Sequence, residues 1–265
     1  MDEPELIVRT DEAGIAQLIL NRPNELNAWT YSLESAFFAA LDAAAVDPAV
    51  RVVVVTGAGR GFCAGASFSL LGNGSATERP DRARRRRLCE LTEFAKPVIA
   101  AINGPAAGLG LALALSCDVR FAAAEAKLTT SFARLGLVAE HGVSWLLPRV
   151  VGFARANDLL LSGRTLTGTE AAEMGLVNRS VESGACLEEA MAYARMLVAT
   201  GSPASWATIK RQLLNADRQT LSVAYEEAMI LMEPALASAD HKEGVRAFRE
   251  KRSPQFAPLS SKHPV

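Results

Sequence analysis

Residues 96–152 constrain this chain more than any other stretch: KPVIAAINGPAAGLGLALALSCDVRFAAAEAKLTTSFARLGLVAEHGVSWLLPRVVG. An apolar run at 97–102 reads as a strand and breaks at Asn103-Gly104-Pro105. Gly108 and Gly110 lead into a helix of small and aliphatic residues predicted over 111–116, with a second strand at 119–123. Glu140-His141 stands directly before an amphipathic helix predicted over 143–151. A helix N-terminus offers unpaired backbone N–H groups and the positive end of a dipole. A carboxylate beside an aliphatic run is a candidate for a raised pKa. Together these suggest a site that polarises a carbonyl oxygen and moves a proton close by.

Ahead of this stretch, apolar runs at 6–9 and 15–20 are joined by Thr10-Asp11-Glu12-Ala13-Gly14, which reads as a hairpin. Asn21-Arg22-Pro23-Asn24 stops the second strand, since proline cannot donate to a ladder. Thr30 is placed to cap a helix whose Leu33, Phe37, Leu41 and Ala44 share one face, and Asp47-Pro48 ends it. RVVVVT at 51–56 has the continuous β-branched character of a strand buried on both faces.

The glycine-rich GAGRGFCAG at 57–65 loosely fits a dinucleotide fingerprint through Gly59-x-Gly61-x-x-Ala64. That fingerprint needs a helix to follow, and Gly65 stands where the helix should be established. The acidic residues in range, Glu78 and Asp81, fall in a polar, proline-containing stretch rather than at a strand end, so the reading is set aside. Residues 71–81 read as a loop. The basic run Asp81-Arg82-Ala83-Arg84-Arg85-Arg86-Arg87 reads as a solvated helix face, with a patch for ligand phosphates as its functional alternative.

Beyond Gly152 a helix is predicted at 155–161. Thr167 and Glu170 have capping-box spacing for a short helix, and 176–181 is strand-like. From Cys186 onward helices are predicted at 187–200, 203–216, 221–239 and 241–251. Strands and helices in mixed order followed by helices alone give an α/β core with a helical C-terminal extension.

A chain of 265 residues, 49% hydrophobic, can bury one large core, and a formal net charge of −1 supplies no global field for nucleic acid or an anionic membrane. The acidic first residues lack a basic-then-apolar start, and the apolar runs are too interrupted for a membrane span. Four cysteines without CxxC spacing and three histidines argue against a structural zinc site. The expectation is a reduced, soluble, cytoplasmic protein with no metal, no nucleic-acid partner and no membrane insertion.

Several short motifs stand in a telling order: Asn21-Arg22-Pro23-x-x-x-Asn27-Ala28, Phe62-Cys63-Ala64-Gly65-Ala66, Asn103-Gly104-Pro105-Ala106-Ala107-Gly108, Ser116-Cys117-Asp118, Trp145-Leu146-Leu147-Pro148-Arg149, Ala172-x-x-Met174-Gly175-Leu176-Val177 and Phe248-x-x-Lys251-Arg252. With these, the chain resembles the enoyl-CoA hydratase/isomerase (crotonase) family over nearly its whole length. The resemblance implies an α/β fold: a crotonase-like ββα spiral core over 1–200 that holds an acyl-CoA site. Residues 201–265 would form a helical C-terminal trimerisation region that helps close the CoA pocket. A homotrimer, or a hexamer built as a dimer of trimers, is implied, with the coenzyme A thioester as substrate and no separate cofactor.

By position, the resemblance implies that the backbone amides of Ala66 and Leu109 bind the thioester oxygen. Leu109 stands where the family usually has glycine. Asn27, Ala28, Ala64, Ser67, Phe68, Phe132 and His141 are implied to line the substrate site. Phe248 and Lys251 fall where the family's C-terminal residues reach a neighbouring subunit's CoA pocket. Asp118, at a helix-to-strand junction, reads as structural. The family's two hydratase glutamates are replaced by Ala112 and Phe132, neither of which can carry a proton.

A third position, used by some double-bond isomerases of the family, holds Glu140. One carboxylate suits a 1,3-proton shift, with Leu137, Val138 and Val143 expected to desolvate it. The alternatives are hydration of a trans-2-enoyl-CoA using Glu140, and a non-catalytic acyl-CoA-binding protein. The bland reading of Glu140 is a first-turn residue favoured by the helix dipole.

Overall fold

The structure, a computed structural model, describes residues 3–67, 70 and 85–259. The hairpin forms as expected: β1 (Leu6–Thr10) pairs antiparallel with β2 (Ile15–Leu20), and Asp11 ties the turn by accepting from the Ala13 and Ile15 amides. The α1 helix (Tyr31–Val46) starts where Thr30 Oγ1 accepts from the Leu33 amide at 3.0 Å. It buries Leu33, Phe37, Phe38, Leu41 and Ala44, and also Glu34. At its far end the buried Lys96 ammonium donates to the carbonyls of Ala44 and Asp47 at 2.6 and 2.7 Å, a cationic cap on the negative end of the helix.

The β3 strand (Val52–Gly57) is buried along its whole length. It lies parallel between β2 and β4 (Val98–Ile102) in a six-stranded sheet. That sheet continues through β6 (Val119–Ala123) to β8 (Arg179–Val181), parallel throughout beyond β2. The long helix Cys186–Thr200 packs across β3, β4 and β6, which is why four consecutive valines suit this position. A second, two-stranded sheet pairs β5 (Ala106–Ala107) with β7 (Leu128–Thr129). This small sheet carries the turn before helix α2 (Leu109–Ser116).

Four details correct the sequence reading. The α2 helix begins at Leu109, two residues earlier than expected, because Gly108 at φ 49° makes the reversal that puts Leu109 and Gly110 into the first turn. The strand expected at 176–181 shrinks to Arg179–Val181, because the Leu176 and Val177 amides turn back to the Ala171 carbonyl. Arg85, Arg86 and Arg87, the described part of the basic run, are not on a helix. Arg85 pairs with Glu34, and Arg86 with Asp42 and Glu90. Residues 81–84 lie outside the described residues. The helix of Glu140 (α3, Val143–Val151) starts only after two left-handed residues, His141 at φ 51° and Gly142 at φ 80°, so Glu140 is not a first-turn residue.

Asp118 is structural as expected. Its Oδ2 accepts from the Val98 amide at 2.7 Å and pairs with Lys210 at 2.6 Å, while burial pushes its carboxyl above the usual range. The C-terminal helices Pro203–Ala216, Leu221–Ala237 and Ala239–Glu250 pack in sequence on one another. The middle one buries none of its own side chains and exposes Leu221, Tyr225, Ile230 and Leu236. Among the described residues no helix is long and apolar enough to cross a membrane.

Candidate active site

Two turns are pressed together beside the main sheet. Residues 62–66 run alongside 105–107: the Phe62 and Cys63 amides donate to the Pro105 carbonyl, and the Ala107 amide donates to Cys63. On its other side this segment bridges to Trp29, whose amide donates to Gly65 while its carbonyl accepts from the Ser67 amide. In a parallel bridge of this kind the residue between those two points its own N–H away from the partner. The Ala66 amide therefore faces away from Trp29.

Gly65, at φ 102°, makes that twist possible, and a Cβ there would lie 2.8 Å from the Ala107 carbonyl and 3.8 Å from the Leu109 amide nitrogen. Leu109 opens helix α2, and the first intrahelical donor is the Ala112 amide, which reaches the Gly108 carbonyl at 2.9 Å. Neither the Ala66 nor the Leu109 amide has an acceptor among the described residues. Two N–H groups without an acceptor thus stand on abutting turns, one of them at a helix N-terminus, where electronegative groups are favoured.

The turns are held from behind by two asparagines. Asn27, wholly buried at φ 57°, donates to the carbonyls of Gly61 and Ala58 and accepts from the Arg22 amide. Asn103 donates to Gly57 and Gly59 and accepts from the Gly57 amide. The Asn27 side chain is thus engaged with backbone and shapes the site from the interior. Gly110 packs so tightly that a Cβ there would fall 2.0 Å from the Cys63 carbonyl. Cys63, buried beneath the turn, has its thiol pushed up to about 12 by burial, so it stays a neutral packing group.

Around the donor pair, Ala28 and Ser67 are buried, and Ala64 and Ala66 are half-buried. Phe132 is buried with its ring edge 4.0 Å from where a Gly108 Cβ would stand. Ala112 is fully buried one turn into α2. Phe68 lies outside the described residues. No proton-carrying group stands at 112 or 132.

The α3 helix packs against α2, and Gly142 rests on Cys89, part of a 3₁₀ turn (Leu88–Glu93) that packs on α2 as well. This places the Glu140 loop next to the helix that Leu109 begins. Glu140 is exposed in the single chain, and so are Leu137 and Val138 at 43% and 80%, so the expected apolar cover over the carboxylate is missing there. Val143 is buried in the core instead. His141 is half-buried and its Nδ1 accepts from the Leu88 amide at 3.4 Å, which assigns the ring proton to Nε2. Burial holds its pKa below the usual histidine value; the Glu140 charge opposes this, and Arg85 reinforces it.

Sequence reasoning missed a neighbour of this loop. Glu34, 7% exposed on α1, accepts a bidentate pair from Arg85 at 3.0 and 2.7 Å and a third bond from Trp29 Nε1 at 3.2 Å. The signal was available. A carboxylate adjacent to the buried stripe of α1 has Phe38 four residues on and no basic residue within its own helix, so its cation had to come from elsewhere.

Phe248, 86% exposed, and Lys251, at φ 53°, sit at the end of the last helix. No hydrogen bond or ion pair among the described residues joins them to the turns of Ala66 and Leu109. Phe248 instead borders a cavity of about 560 Å³ among the C-terminal helices, lined also by Met232, Leu236, Ser238, Val245 and Phe256. Among the described residues no group of three His, Cys, Asp or Glu side chains is placed to hold a metal ion.

Comparison with known proteins bears on this arrangement. Residues 10–258 match the family model described as Enoyl-CoA hydratase/isomerase. The chain is 37% identical over 258 residues to a 1,2-epoxyphenylacetyl-CoA isomerase of Escherichia coli K12, covering 95% of this chain and 98% of that one. It is 30% identical over 269 residues to a peroxisomal Delta(3,5)-Delta(2,4)-dienoyl-CoA isomerase of Arabidopsis thaliana, covering 96% and 97%. Among solved structures, an enoyl-CoA hydratase from Polaromonas sp. JS666 superposes with a TM-score of 0.87 at 33% identity, covering 95% of this chain and 99% of that one.

Proposed function

The chain belongs to the enoyl-CoA hydratase/isomerase family of acyl-CoA enzymes, and on that premise we propose that it moves a double bond in an enoyl-CoA by a 1,3-proton shift, with Glu140 as the proton carrier. The observation that carries this reading is two amides without acceptors on abutting turns beside α2, against which the helix that follows Glu140 packs, while Ala112 and Phe132 are both buried and unable to titrate. The Glu140 carboxylate removes a proton from C2 of a 3-enoyl thioester. The C–H electron pair moves into the C1–C2 bond and the carbonyl electrons move onto oxygen. The Ala66 and Leu109 amides hold that oxyanion, each typically worth about 3–4 kcal/mol in the transition state. Collapse of the dienolate takes the proton back from Glu140 at C4 and leaves the double bond between C2 and C3. The proton returns and no water is consumed, so one carboxylate suffices.

The exposure of Glu140 in the single chain fits a site completed by a neighbouring copy. The apolar face of Leu221–Ala237 is proposed as the contact that assembles the trimer, alone or paired as a hexamer. Phe248 and Lys251 then close the CoA pocket of the adjacent subunit, with the Lys251 ammonium as a point charge for phosphate. Ala28, Ala64, Ser67 and Phe132 line the acyl side.

The test is to replace Glu140 with Gln and follow conversion of a 3-enoyl-CoA to its conjugated isomer. A loss of at least about a hundredfold in kcat with little change in KM is expected for removal of a proton carrier; unchanged turnover would sink the assignment. Hydration with Glu140 positioning the water is the second reading, favoured by the structural match to a hydratase. Loss of the conjugated-thioester absorbance of crotonyl-CoA on incubation would support it. A protein that binds acyl-CoA without turning over any enoyl-CoA would be a binding protein instead.

A further inference from the structure

We propose that Glu243 is a positioning residue for Lys251: it holds the hook at the end of the last helix, from which the Lys251 ammonium is presented to a phosphate group of the acyl-CoA. The inference rests on the reading of Lys251 as the phosphate contact in an adjacent subunit's pocket.

The helix Ala239–Glu250 closes on a left-handed residue. The Lys251 amide donates to the Phe248 carbonyl at 3.3 Å and the Arg252 amide to the Ala247 carbonyl at 3.1 Å, the pair of bonds that commonly ends a helix on glycine. Here the residue is a lysine at φ 53°, a conformation that its Cβ disfavours. The closure therefore needs support from outside the helix terminus, and Glu243 supplies it. This residue lies about two turns back along the helix and is 8% exposed. Its Oε1 accepts from Arg252 Nη1 at 2.6 Å and from the Gln255 amide at 2.8 Å. Its Oε2 accepts from Arg252 Nη2 at 3.2 Å and from Arg246 Nη2. Four donors converge on one carboxylate, three of them from beyond Lys251.

The chain after Lys251 is tied back along the same helix. A Cβ on Gly244 would stand 3.7 Å from the Phe256 ring, and the Phe256 carbonyl accepts from Arg51 Nη1 at 3.4 Å, next to the start of β3. The hook is thus fastened to its own helix and to the main sheet.

The two nearest arginines are engaged in this cluster: Arg246 by Glu243, and Arg252 by Glu243 and Glu250. The Lys251 ammonium has no hydrogen-bond or ion-pair partner among the described residues. A free ammonium whose backbone is fixed loses less freedom on meeting a phosphate than one on a fraying helix end. Glu243 therefore acts on the ligand through Lys251, without touching it.

The experiment is calorimetric binding of acetyl-CoA, which carries the nucleotide phosphates, and of S-acetylpantetheine, which lacks them. The full-length protein is compared with Lys251→Ala, Glu243→Ala and the double variant. Each single variant is expected to weaken acetyl-CoA about five- to tenfold and to leave S-acetylpantetheine within about twofold. The double variant should lose no more than the larger single loss, because both changes remove one contact. If Glu243→Ala does not fold, Arg252→Gln releases the hook from its other side and should give the same selective loss. Acetyl-CoA binding unchanged in Glu243→Ala, a loss equal for both ligands, or additive losses in the double variant would each overturn the proposal while the Lys251 reading stands. Acetyl-CoA binding unchanged in Lys251→Ala overturns that reading, and the proposal with it.

Discussion

Asn27 and Gly61 meet inside the protein: the Asn27 Nδ2 donates to the Gly61 carbonyl at 2.7 Å from a side chain with no exposed surface. The same side chain holds Ala58 and Arg22, so three points of the chain converge on one amide. Asn27→Ala is expected to lose about 3 kcal/mol of stability, at about 1 kcal/mol per buried hydrogen bond removed. Urea unfolding measures it. The segment that carries Ala66 begins at this turn, so kcat should fall even in the fraction that remains folded. A loss below about 1 kcal/mol would show that the turn is held by other means.

Gly110 and the Cys63 carbonyl leave no room for a methyl group. Gly110→Ala must push α2 away from the 62–66 segment, at a cost of about 1–3 kcal/mol typical of overpacking. Gly136→Ala is the control. It has open space around the new Cβ and only its φ of 67° to contend with, a penalty of about 1 kcal/mol. Denaturant midpoints should rank Gly110→Ala well below Gly136→Ala, and activity should be lost only in the former.

His141 gives the fold a defined pH response. Its folded pKa lies below the unfolded value, mainly through burial. As pH falls below the unfolded histidine value of about 6.5, the unfolded chain takes up the proton first and gains free energy relative to the fold. This contribution to stability is intact above that pH and is lost as pH falls toward the folded pKa. His141→Gln should flatten the slope of stability against pH in that window, as read from melts between about pH 5 and 7.5. An unchanged slope would mean that the ring is as open to water as an unfolded histidine.

Ile230, 72% exposed on the helix that buries none of its own side chains, tests the assembly. A charge placed in an apolar contact is left unpaired there, so Ile230→Glu should lower the mass found by sedimentation from an oligomer toward a single chain. The proposed double-bond isomerisation should fall with it if Phe248 and Lys251 act in a neighbouring copy. A wild-type protein that sediments as a monomer would remove the basis for this expectation.

The sheet and most helices could be read from local chemistry. Four valines in succession indicated a strand covered on both faces, and the Thr167–Glu170 capping box forms as spaced, with the Thr167 amide donating to Glu170 at 2.7 Å. Side-chain periodicity does not report backbone angles, which is why the start of α2 was misplaced: Gly108 turns the chain with a φ that only the fold reveals. Charge pairing across long sequence separations was equally hidden. Arg85 read as part of a solvated run, yet its partner Glu34 stands 51 residues away on another element. The same limit applies to Glu140. Neighbouring aliphatic residues suggested cover, but Leu137 and Val138 point their surface to solvent in the single chain and Val143 turns into the core.

The twist at Gly65 has a consequence for how such a chain can change over time. The two donors proposed to hold the thioester oxygen are main-chain atoms, so nearly any side chain at 66 or 109 leaves them in place, proline excepted. Electrophile activation is thereby insulated from substitution, while the groups that move protons are ordinary side chains, free to appear or vanish. If Glu140 carries the proton as proposed, a lineage could do without acids at 112 and 132, which here are Ala and Phe, and still keep the backbone donors that bind and polarise its substrate. On this view the reaction is the mutable part of the protein and the backbone turn is its inheritance.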